Sequence, residues 1–381
     1  MKTNSHQHFK SKYSALSKSI HLICCFIAII FLLQSCQKNN AVTNHEKDVE
    51  LLQSFFNKYK SQKNIFTINP TEGGVFTARS GAKLYIKPNA FKRKDGTIPT
   101  GTITLEYTDI LDIDNMIFFD KPTVTSDFNP IVSYCEIFIS AKEGNNALNP
   151  SNLIADPIVA TVPTTTPFVN VSDSVDFDIP IWLGDTTIEN IQTGLDYEAR
   201  PVTVTKPRLM NKGIYWDIAW GRGATFIDVA GAQKDSVSYA IQNFDVWLNC
   251  DGFDFDPRPK TKLFCYFNNN FNNPDTVYYK IPTAYVYFKP KGRNILIKVP
   301  NPILNAIPTK EGFYTNENLS PIGLDGKFIA FSVKDGKYFA EVKTAIIPAP
   351  EPGKTYSVLT FNPIEVTEIQ LLAMIQSLKS Y

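Results

Sequence analysis

The chain has 381 residues, a formal net charge of +1 and 43% hydrophobic residues. It exceeds the size at which a single core stops growing, so we expect two or three domains. A nearly neutral chain lacks the concentrated positive face that nucleic acid requires, so nucleic acid is not expected as a partner. Its 25 prolines interrupt long helices, and its 27 phenylalanines and 17 tyrosines favour strands. The composition therefore predicts a mostly β fold.

The first 35 residues have the features of a secretory signal. Four lysines and no acidic residue precede an uninterrupted apolar run over residues 22–33. A helix needs roughly 20 apolar residues to cross the hydrocarbon core of a bilayer. The run therefore favours a cleaved signal over a permanent membrane span, although Ile20 and His21 would lengthen it slightly.

The residues that follow the apolar run predict a lipid anchor. Leu33-Gln34-Ser35-Cys36 resembles the cleavage box of bacterial lipoproteins, in which the cysteine is acylated and becomes the new N-terminus. The resemblance implies a cell-envelope protein held by lipid at Cys36, in the outer membrane and facing either the periplasm or the exterior. Each buried methylene contributes ~0.8 kcal/mol, so several acyl chains anchor stably. The alternative is that Cys36 is an ordinary cysteine beside an ordinary cleavage site.

Cleavage before Cys36 would remove 35 of the 381 residues, including four lysines, which leaves 346 residues and changes the net charge from +1 to −3. The expected organisation is two β-sandwich-like domains with a short N-terminal helix and a C-terminal helix. In chain order the expected segments are a signal peptide (1–35), a tether (36–47), a short helix (48–64), a β-sandwich module (65–155), a linker and irregular β region (156–235), a second β-sandwich-like domain (236–363) and a C-terminal helix (364–381).

Apolar residues with a period of two predict the strands. One such half-buried strand places Cys135, Ile137 and Ile139 on one face and Glu136 and Phe138 on the other. Asp335-Gly336 lies between two such strands and predicts a hairpin turn. At the C-terminus Thr367 and Gln370 have capping-box spacing. The apolar stripe expected for that helix consists of Ile369, Leu372, Ile375 and Leu378.

Residues 65–150 carry a family resemblance. Gly73-Gly74-Val75-Phe76, Gly81-Ala82-Lys83-Leu84-Tyr85-Ile86-Lys87-Pro88-Asn89-Ala90-Phe91 and Gly101-Thr102-Ile103-Thr104-Leu105 resemble the β-sandwich module of ankyrins and netrin receptors, in the version found in many Bacteroidota lipoproteins. In that family the module is a protein-interaction or structural unit without catalytic residues. A second segment, Phe244-Asp245-Val246-Trp247-Leu248-Asn249-Cys250-Asp251-Gly252-Phe253, resembles the Gly-Trp-x-Asn-Cys-Asp-x-Phe box of the same lipoproteins, with Val246 in place of the glycine.

Histidine is scarce in this chain. Three of the four histidines lie in the signal, and the fourth, His45, lies in the expected tether. A folded body without histidine excludes the common triad hydrolases and His-dependent zinc sites, so no enzyme activity and no cofactor are expected.

Three of the six cysteines lie in the expected folded body: Cys135, Cys250 and Cys265. Cys250 and Cys265 could form a disulfide if their strands are neighbours, and buried thiols are the alternative.

Carboxylates are the remaining candidates for chemistry. Asp251, Asp254 and Asp256 could ligate Ca²⁺, but their spacing does not match an EF-hand, and a polar strand end is the favoured interpretation. Two acids could also hydrolyse glycosides, with Glu106, Asp251 and Asp254 among the candidates. A set of tyrosines could stack on sugars or cover the outer face of a sheet: Tyr278, Tyr279, Tyr285 and Tyr287.

The sequence thus predicts a lipid-anchored, non-enzymatic binding or structural module with a protein or glycan partner. The alternative from another class is a glycan-binding or carboxylate-dependent glycan-hydrolysing lipoprotein.

Overall fold

The structure is a computed structural model that describes residues 45–125, 129–151, 158–164, 179–184, 190–195, 201–209, 216–227, 236–241, 243–254, 256–268, 283–303, 311–316 and 319–381. The fold is mostly β, with several antiparallel sheets and three helices in these ranges, which confirms the expected fold class. The helices are α1 (45–59), α2 (Ile113–Phe118) and α3 (Glu368–Gln376). No helix in the described ranges has both the length and the apolar character needed to span a bilayer.

The strands of the first part of the chain are β1 (Asn64–Ile68), β2 (Gly74–Thr77), β3 (Lys83–Ile86), β4 (Phe91–Lys92), β5 (Ile103–Ile110), β6 (Ile131–Glu143), β7 (Asn146–Ala147), β8 (Asn149–Pro150), β9 (Ile158–Pro163), β10 (Ile179–Gly184), β11 (Asn190–Leu195), β12 (Pro201–Leu209), β13 (Trp216–Ile227), β14 (Ser236–Ile241) and β15 (Trp247–Phe253). The remaining strands are β16 (Lys260–Phe267), β17 (Ala284–Pro290), β18 (Ile297–Lys298), β19 (Asn301–Pro302), β20 (Glu311–Tyr314), β21 (Ser320–Pro321), β22 (Asp325–Lys334), β23 (Lys337–Ile346), β24 (Tyr356–Phe361) and β25 (Ile364–Val366).

The first sandwich is built from one long sheet. Its strand order is β1-β5-β6-β15-β10-β13-β14-β9-β3-β2, with β7 paired to β6. One hydrophobic core takes Leu105 and Ile137 from one arm of this sheet and Leu84, Ala160 and Val237 from the other. The two arms therefore face each other across that core, as period-two strands with one buried face require. The end strands β1 and β2 also meet, since the Phe66 and Phe76 rings lie 5.5 Å apart.

The second sandwich is built from two five-stranded sheets. One has the order β19-β20-β16-β21, with β24 parallel to β16, and the other has the order β18-β17-β22-β23-β25. Their shared core contains Phe267 and Phe361 from the first sheet and Phe288 and Phe328 from the second. The Phe288 and Phe328 rings stack with centroids 4.3 Å apart. Two further two-stranded sheets pair β11 with β12 and β4 with β8.

The three helices cover the outer face of the second sandwich. Leu52 and Phe55 of α1 and Leu371 of α3 share a third core with Tyr285 and Tyr287 of β17. The two tyrosine rings stack with centroids 5.9 Å apart and are buried. The interpretation of these two tyrosines as the covered outer face of a sheet is therefore confirmed. Tyr278 and Tyr279 lie outside the described residues.

The N-terminal helix differs from the sequence-based expectation. Its described residues start at His45, which is helical and buried with 8% of its surface exposed. The expectation that the folded body contains no histidine is therefore wrong. The carboxylate of Asp48, one turn further on, accepts hydrogen bonds from the backbone N–H groups of Asp335 and Gly336 at 3.0 and 2.8 Å. A polar side chain anchors the helix to the turn, which residue spacing alone does not show.

Two local predictions are confirmed. Asp335 and Gly336 form the turn between β22 and β23 with positive φ angles of 51° and 74°, the geometry that favours Asp-Gly. Thr367 and Gln370 form the reciprocal capping box of α3.

The apolar stripe predicted for α3 is wrong at Ile369, which is 74% exposed. Leu371 is fully buried in its place, beside Ile375 and Leu378.

The expected domain boundaries stay a prediction. The long sheet of the first sandwich combines β1, β2, β3, β5 and β6, which lie before residue 155, with β9, β10 and β13, which lie between residues 156 and 235, and with β14 and β15, which lie after residue 235. Its strands therefore come from three of the segments that the sequence separates.

Leu371→Ala tests the assignment of the buried face of α3. We expect the free energy of unfolding to fall by about 2–5 kcal/mol, because a fully buried leucine leaves a cavity in the third core. The matched control is Ile369→Ala on the same helix, which should change stability by no more than ~0.5 kcal/mol because Ile369 is exposed. Urea unfolding measures both. Equal losses would show that the two faces of the helix are assigned wrongly.

Candidate functional site

The central strand pair of the first sandwich places unlike residues on its two faces. β6 and β15 are antiparallel, with Ile137 opposite Leu248, Cys135 opposite Cys250 and Glu136 opposite Asn249. A register shift follows Cys250, so that Asp251 lies opposite Ser133. The core-facing residues are Cys135, Ile137, Leu248 and Cys250. The residues that alternate with them form a polar group on the opposite face, which we call the junction cluster: Ser133, Glu136, Asn249 and Asp251.

The second sandwich covers the junction cluster. The backbone N–H of Ser133 donates to the carbonyl of Asn294 at 2.9 Å, and the side-chain amide of Asn294 donates back to the Ser133 carbonyl at 2.7 Å. Thr123 and Leu296 form a second link, with backbone and side-chain bonds of 2.9 and 2.8 Å. All four members of the junction cluster are fully buried as a result.

An ion pair joins the segment after α2 to the second sandwich. The ammonium of Lys298 donates to both carboxylate oxygens of Asp120 at 2.8 and 2.7 Å, and the Tyr287 hydroxyl donates to Asp120 at 2.8 Å. Lys298 also lies 4.8 Å from the centroid of the Tyr285 ring. Asp120 follows α2, whereas Lys298 and both tyrosines belong to the second sandwich, so this cluster holds the segment after α2 on the second sandwich.

Hydrogen bonds connect part of the junction cluster internally. The Asn249 amide nitrogen donates to Asp251 Oδ2 at 2.5 Å, and the Ser133 hydroxyl donates to Asn249 Oδ1 at 3.4 Å. By contrast, neither carboxylate oxygen of Glu136 accepts a hydrogen bond from any residue that the structure describes. A buried charge without such partners is costly, so the protonated form of Glu136 is favoured.

Burial dominates the electrostatics of the junction cluster. It raises the pKa of Glu136 well above its usual range; the nearby Asp251 charge raises it further, and Lys121 opposes the shift. Burial also raises the pKa of Asp251, against the hydrogen bonds from Ser133 and Asn249. Burial lowers the pKa of Lys121, whose neighbours Asp120 and Glu136 act in the opposite direction. The cluster therefore contains acids that hold protons where ordinary carboxyls release them.

The tryptophan of the second box lies beside this cluster. The centroid of the Trp247 ring lies 5.5 Å from the ring centroids of both Phe119 and Phe138. The Lys121 ammonium lies 5.5 Å from the centroid of the Trp247 ring. Within the same box Asn249 and Asp251 face the junction while Leu248 and Cys250 face the core. The box therefore contributes residues to the core face and to the junction face of β15.

Sequence reasoning missed Glu136 as a notable residue. Its position in a strand predicted to be half-buried placed it on the less buried face with Phe138, which is wrong for Glu136 because that residue is fully buried. Asn294 and Leu296, which bond to Ser133 and Thr123 at this junction, are distant from Glu136 in the chain. Only the unusual polar pair Asn249 and Asp251 within an otherwise apolar strand could have indicated a buried polar layer.

The three aspartates proposed for Ca²⁺ have different surroundings. Asp251 lies in the junction cluster, whereas Asp254 accepts from Arg293 at 2.8 and 2.7 Å. Asp256 is bound by Arg258 and by Arg293, the latter at 3.1 Å. The hydrogen bond and charge of Arg258 lower the pKa of Asp256 to about 2. Among the described residues no group of three or more His, Cys, Asp or Glu has the geometry of a metal site.

The acids considered for glycoside hydrolysis are separated from one another by their contacts. Glu106 pairs with Lys63 at the surface at 2.8 Å, Asp251 is fully buried and Asp254 is held by Arg293. The structure does not bring these three together in one open site. Cys36, the expected lipidation site, lies outside the described residues.

The possible bridge between Cys250 and Cys265 is not present. Both residues are buried thiols, as is Cys135. Cys265 belongs to the core of the second sandwich, whereas Cys250 belongs to the core of the first and lies directly opposite Cys135. The alternative of buried thiols in apolar cores is the arrangement observed.

Comparison with protein-family models, with curated proteins and with solved structures finds no match to this chain.

Glu136→Gln tests the protonation of the junction cluster. Burial raises the pKa of Glu136 in the folded protein, so the unfolded chain releases this proton first as pH rises above about 4. The free energy of unfolding therefore falls with pH until the acid ionises in the folded protein too. The Glu136→Gln variant lacks this acid. Its free energy of unfolding should therefore fall less steeply with pH than that of wild type, by up to about 1.4 kcal/mol per pH unit. Urea unfolding at several pH values measures it. Glu50→Gln, at an exposed position of α1, controls for one lost negative charge, and identical slopes for wild type and Glu136→Gln would contradict the assignment.

Proposed function

We propose that this protein is a lipid-anchored envelope protein that acts as a non-enzymatic binding module. The body that would do the binding is a pair of β-sandwiches held rigidly together. Supporting this, the hydrogen bonds of Ser133 with Asn294 cross between the two sandwiches, and Thr123 and Asp120 bond the segment before β6 to the second sandwich. A rigid body presents a preformed surface and loses little conformational entropy on binding.

The observation that carries the proposal is an exposed patch on the outer face of β3. Lys83, Tyr85 and Lys87 alternate with the buried Leu84 and Ile86, so the three point outward together. The tyrosine is 41% exposed. Val75 lies directly opposite Tyr85 on β2 and is 59% exposed. On the other side Tyr85 is paired with the half-buried Val159 of β9. We call these five residues the β3 patch: Val75, Lys83, Tyr85, Lys87 and Val159.

The chemistry of the β3 patch favours a protein partner with acidic residues. A tyrosine flanked by valines offers apolar area with a polar tip, as is typical of residues at interfaces. The two lysines add positive charge on either side along the strand, which favours an acidic complement. The resemblance of this module to the interaction module of ankyrins and netrin receptors is in line with this choice of partner.

A photo-crosslinking amino acid at Tyr85 tests the partner. In cells that make the full chain, p-benzoylphenylalanine in place of Tyr85 should form an adduct with an acidic protein. Lys83→Glu combined with Lys87→Glu should abolish the adduct, because the charges would then repel. The adduct is measured by its mass and by sequencing of the attached peptide. The matched control is the same amino acid at Ile369, which is 74% exposed on α3.

The outcomes of this experiment separate the alternatives. An adduct at position 85 that is lost on charge reversal, with none at 369, supports the proposal. A glycan attached at position 85 would replace the protein partner with the glycan-binding alternative. No adduct, or equal adducts at both positions, would contradict the β3 patch as a binding surface. An unchanged thermal unfolding midpoint shows that the charge-reversed variant is folded.

Lipid anchoring is tested separately at Cys36. We expect the wild-type protein to enter the detergent-rich phase on detergent phase separation, and Cys36→Ala to remain in the aqueous phase, because the acyl chains supply the anchor. Cys265→Ala, which removes a buried thiol of the second core, is the control and should behave as wild type. Equal partitioning of Cys36→Ala and wild type would show that lipid at this position does not hold the protein on a membrane.

A further inference from the structure

The core of the first sandwich contains two cysteines in direct opposition. Cys135 on β6 and Cys250 on β15 are partners in the antiparallel register, and each has 0% of its surface exposed. Directly opposed residues of antiparallel strands have Cα atoms about 4.5–5.5 Å apart. Disulfides span Cα distances of about 4.4–6.8 Å, so the backbone already has the required spacing. The two side chains share a face, since both belong to the first core.

We propose that Cys135 and Cys250 form a cross-strand disulfide when the chain folds in the presence of a disulfide oxidant. In the cell this step rests on the export that the proposed function includes, because disulfides persist in oxidising compartments outside the cytosol. The pairing itself rests only on the register of β6 and β15.

The reaction is a two-step thiol–disulfide exchange. The thiolate of one cysteine attacks a sulfur of the oxidant RSSR, which forms a mixed disulfide and releases RS⁻, and this takes up the proton lost by the thiol. The second cysteine thiolate then attacks the mixed disulfide and releases a second RSH. One oxidant S–S bond and two cysteine S–H bonds are lost, and one Cys135–Cys250 S–S bond and two RSH are formed. The cysteines are oxidised and RSSR is reduced.

Because both thiols are buried in the folded protein, the disulfide would form during folding. Burial raises the pKa of Cys250 well above its usual range, and the neighbouring Cys135 thiol raises it further, so little thiolate is present in the folded core. Before the core closes both thiols are reachable. Once formed, the disulfide is enclosed between Ile137, Leu248 and the opposite arm of the sheet, where reductants have no access. The bond would join the two central strands that carry the junction cluster on their other face.

Cys265 provides a matched internal comparison. It is buried to the same extent, with 0% exposed, and burial likewise raises its pKa. Its cross-strand partners are Phe313 and Leu359, and no cysteine lies opposite it. The geometry therefore predicts that one of the three body cysteines stays a thiol.

To test the pairing, the reduced, purified full chain is refolded in oxidised glutathione. The remaining thiols are then blocked in denaturant, and the peptides are mapped by mass spectrometry. We expect one linked peptide that joins Cys135 to Cys250, with thiol labelling at these positions reduced by about tenfold or more relative to Cys265. Cys265→Ala should leave the linked peptide unchanged. Cys135→Ala should restore labelling of Cys250, and circular dichroism shows whether that variant is folded. Labelled thiols at both 135 and 250 in refolded wild type, or a peptide linking 250 to 265, would overturn the inference.

The same mapping on protein taken from cells, with thiols blocked at lysis, separates this inference from the proposed export. A linked peptide in both samples supports both. A linked peptide only after refolding in glutathione supports the pairing and contradicts export to an oxidising compartment. Because the refolding sample needs no variant, the pairing is decided even where a substituted chain fails to fold.

Discussion

The pairing of β6 with β15 is the interaction on which the rest of the structure depends. These strands lie in the middle of the first sandwich, so their side chains determine what both faces of that region contain. Ile137 and Leu248 complete the inner core, while Glu136 and Asn249 lie buried on the opposite face of the pair. A slip of one residue in this register would move every side chain to the opposite face and leave acids in an apolar core. The register is therefore strongly determined by burial on both sides.

The junction between the sandwiches combines stability with an electrostatic cost. Paired groups such as Asp120 and Lys298 satisfy each other, and Asn294 bonds both ways with Ser133. Glu136 lacks such a partner among the described residues and is accommodated chiefly as a neutral acid. The hydrogen bonds between Asn294 and Ser133, and not Glu136, therefore favour the observed orientation of the two sandwiches. Polar layers at interfaces favour one arrangement because other arrangements leave their groups unsatisfied.

Local patterns in the sequence predicted a substantial part of the fold. The period-two strands around Leu84, Ile103 and Ile137 are present with the expected faces buried. The capping box at Thr367 and the Asp335-Gly336 turn are present as predicted, because both depend on contacts within a few residues. Errors occurred where distant segments decide the environment. Ile369 was assigned to the buried face of α3, and His45 was assigned to a tether.

The sequence by itself determined the mostly β class, the positions of many strands and the local turns and caps, since these follow from backbone preference and side-chain periodicity. The tertiary structure decided which strands are neighbours and what covers each sheet. It placed Cys250 beside Cys135 and not beside Cys265, and it buried Glu136 on the face of β6 opposite the core. A period of two separates the faces of a strand but does not specify what packs on either face. That information lies in the long-range pairing of segments far apart in the chain.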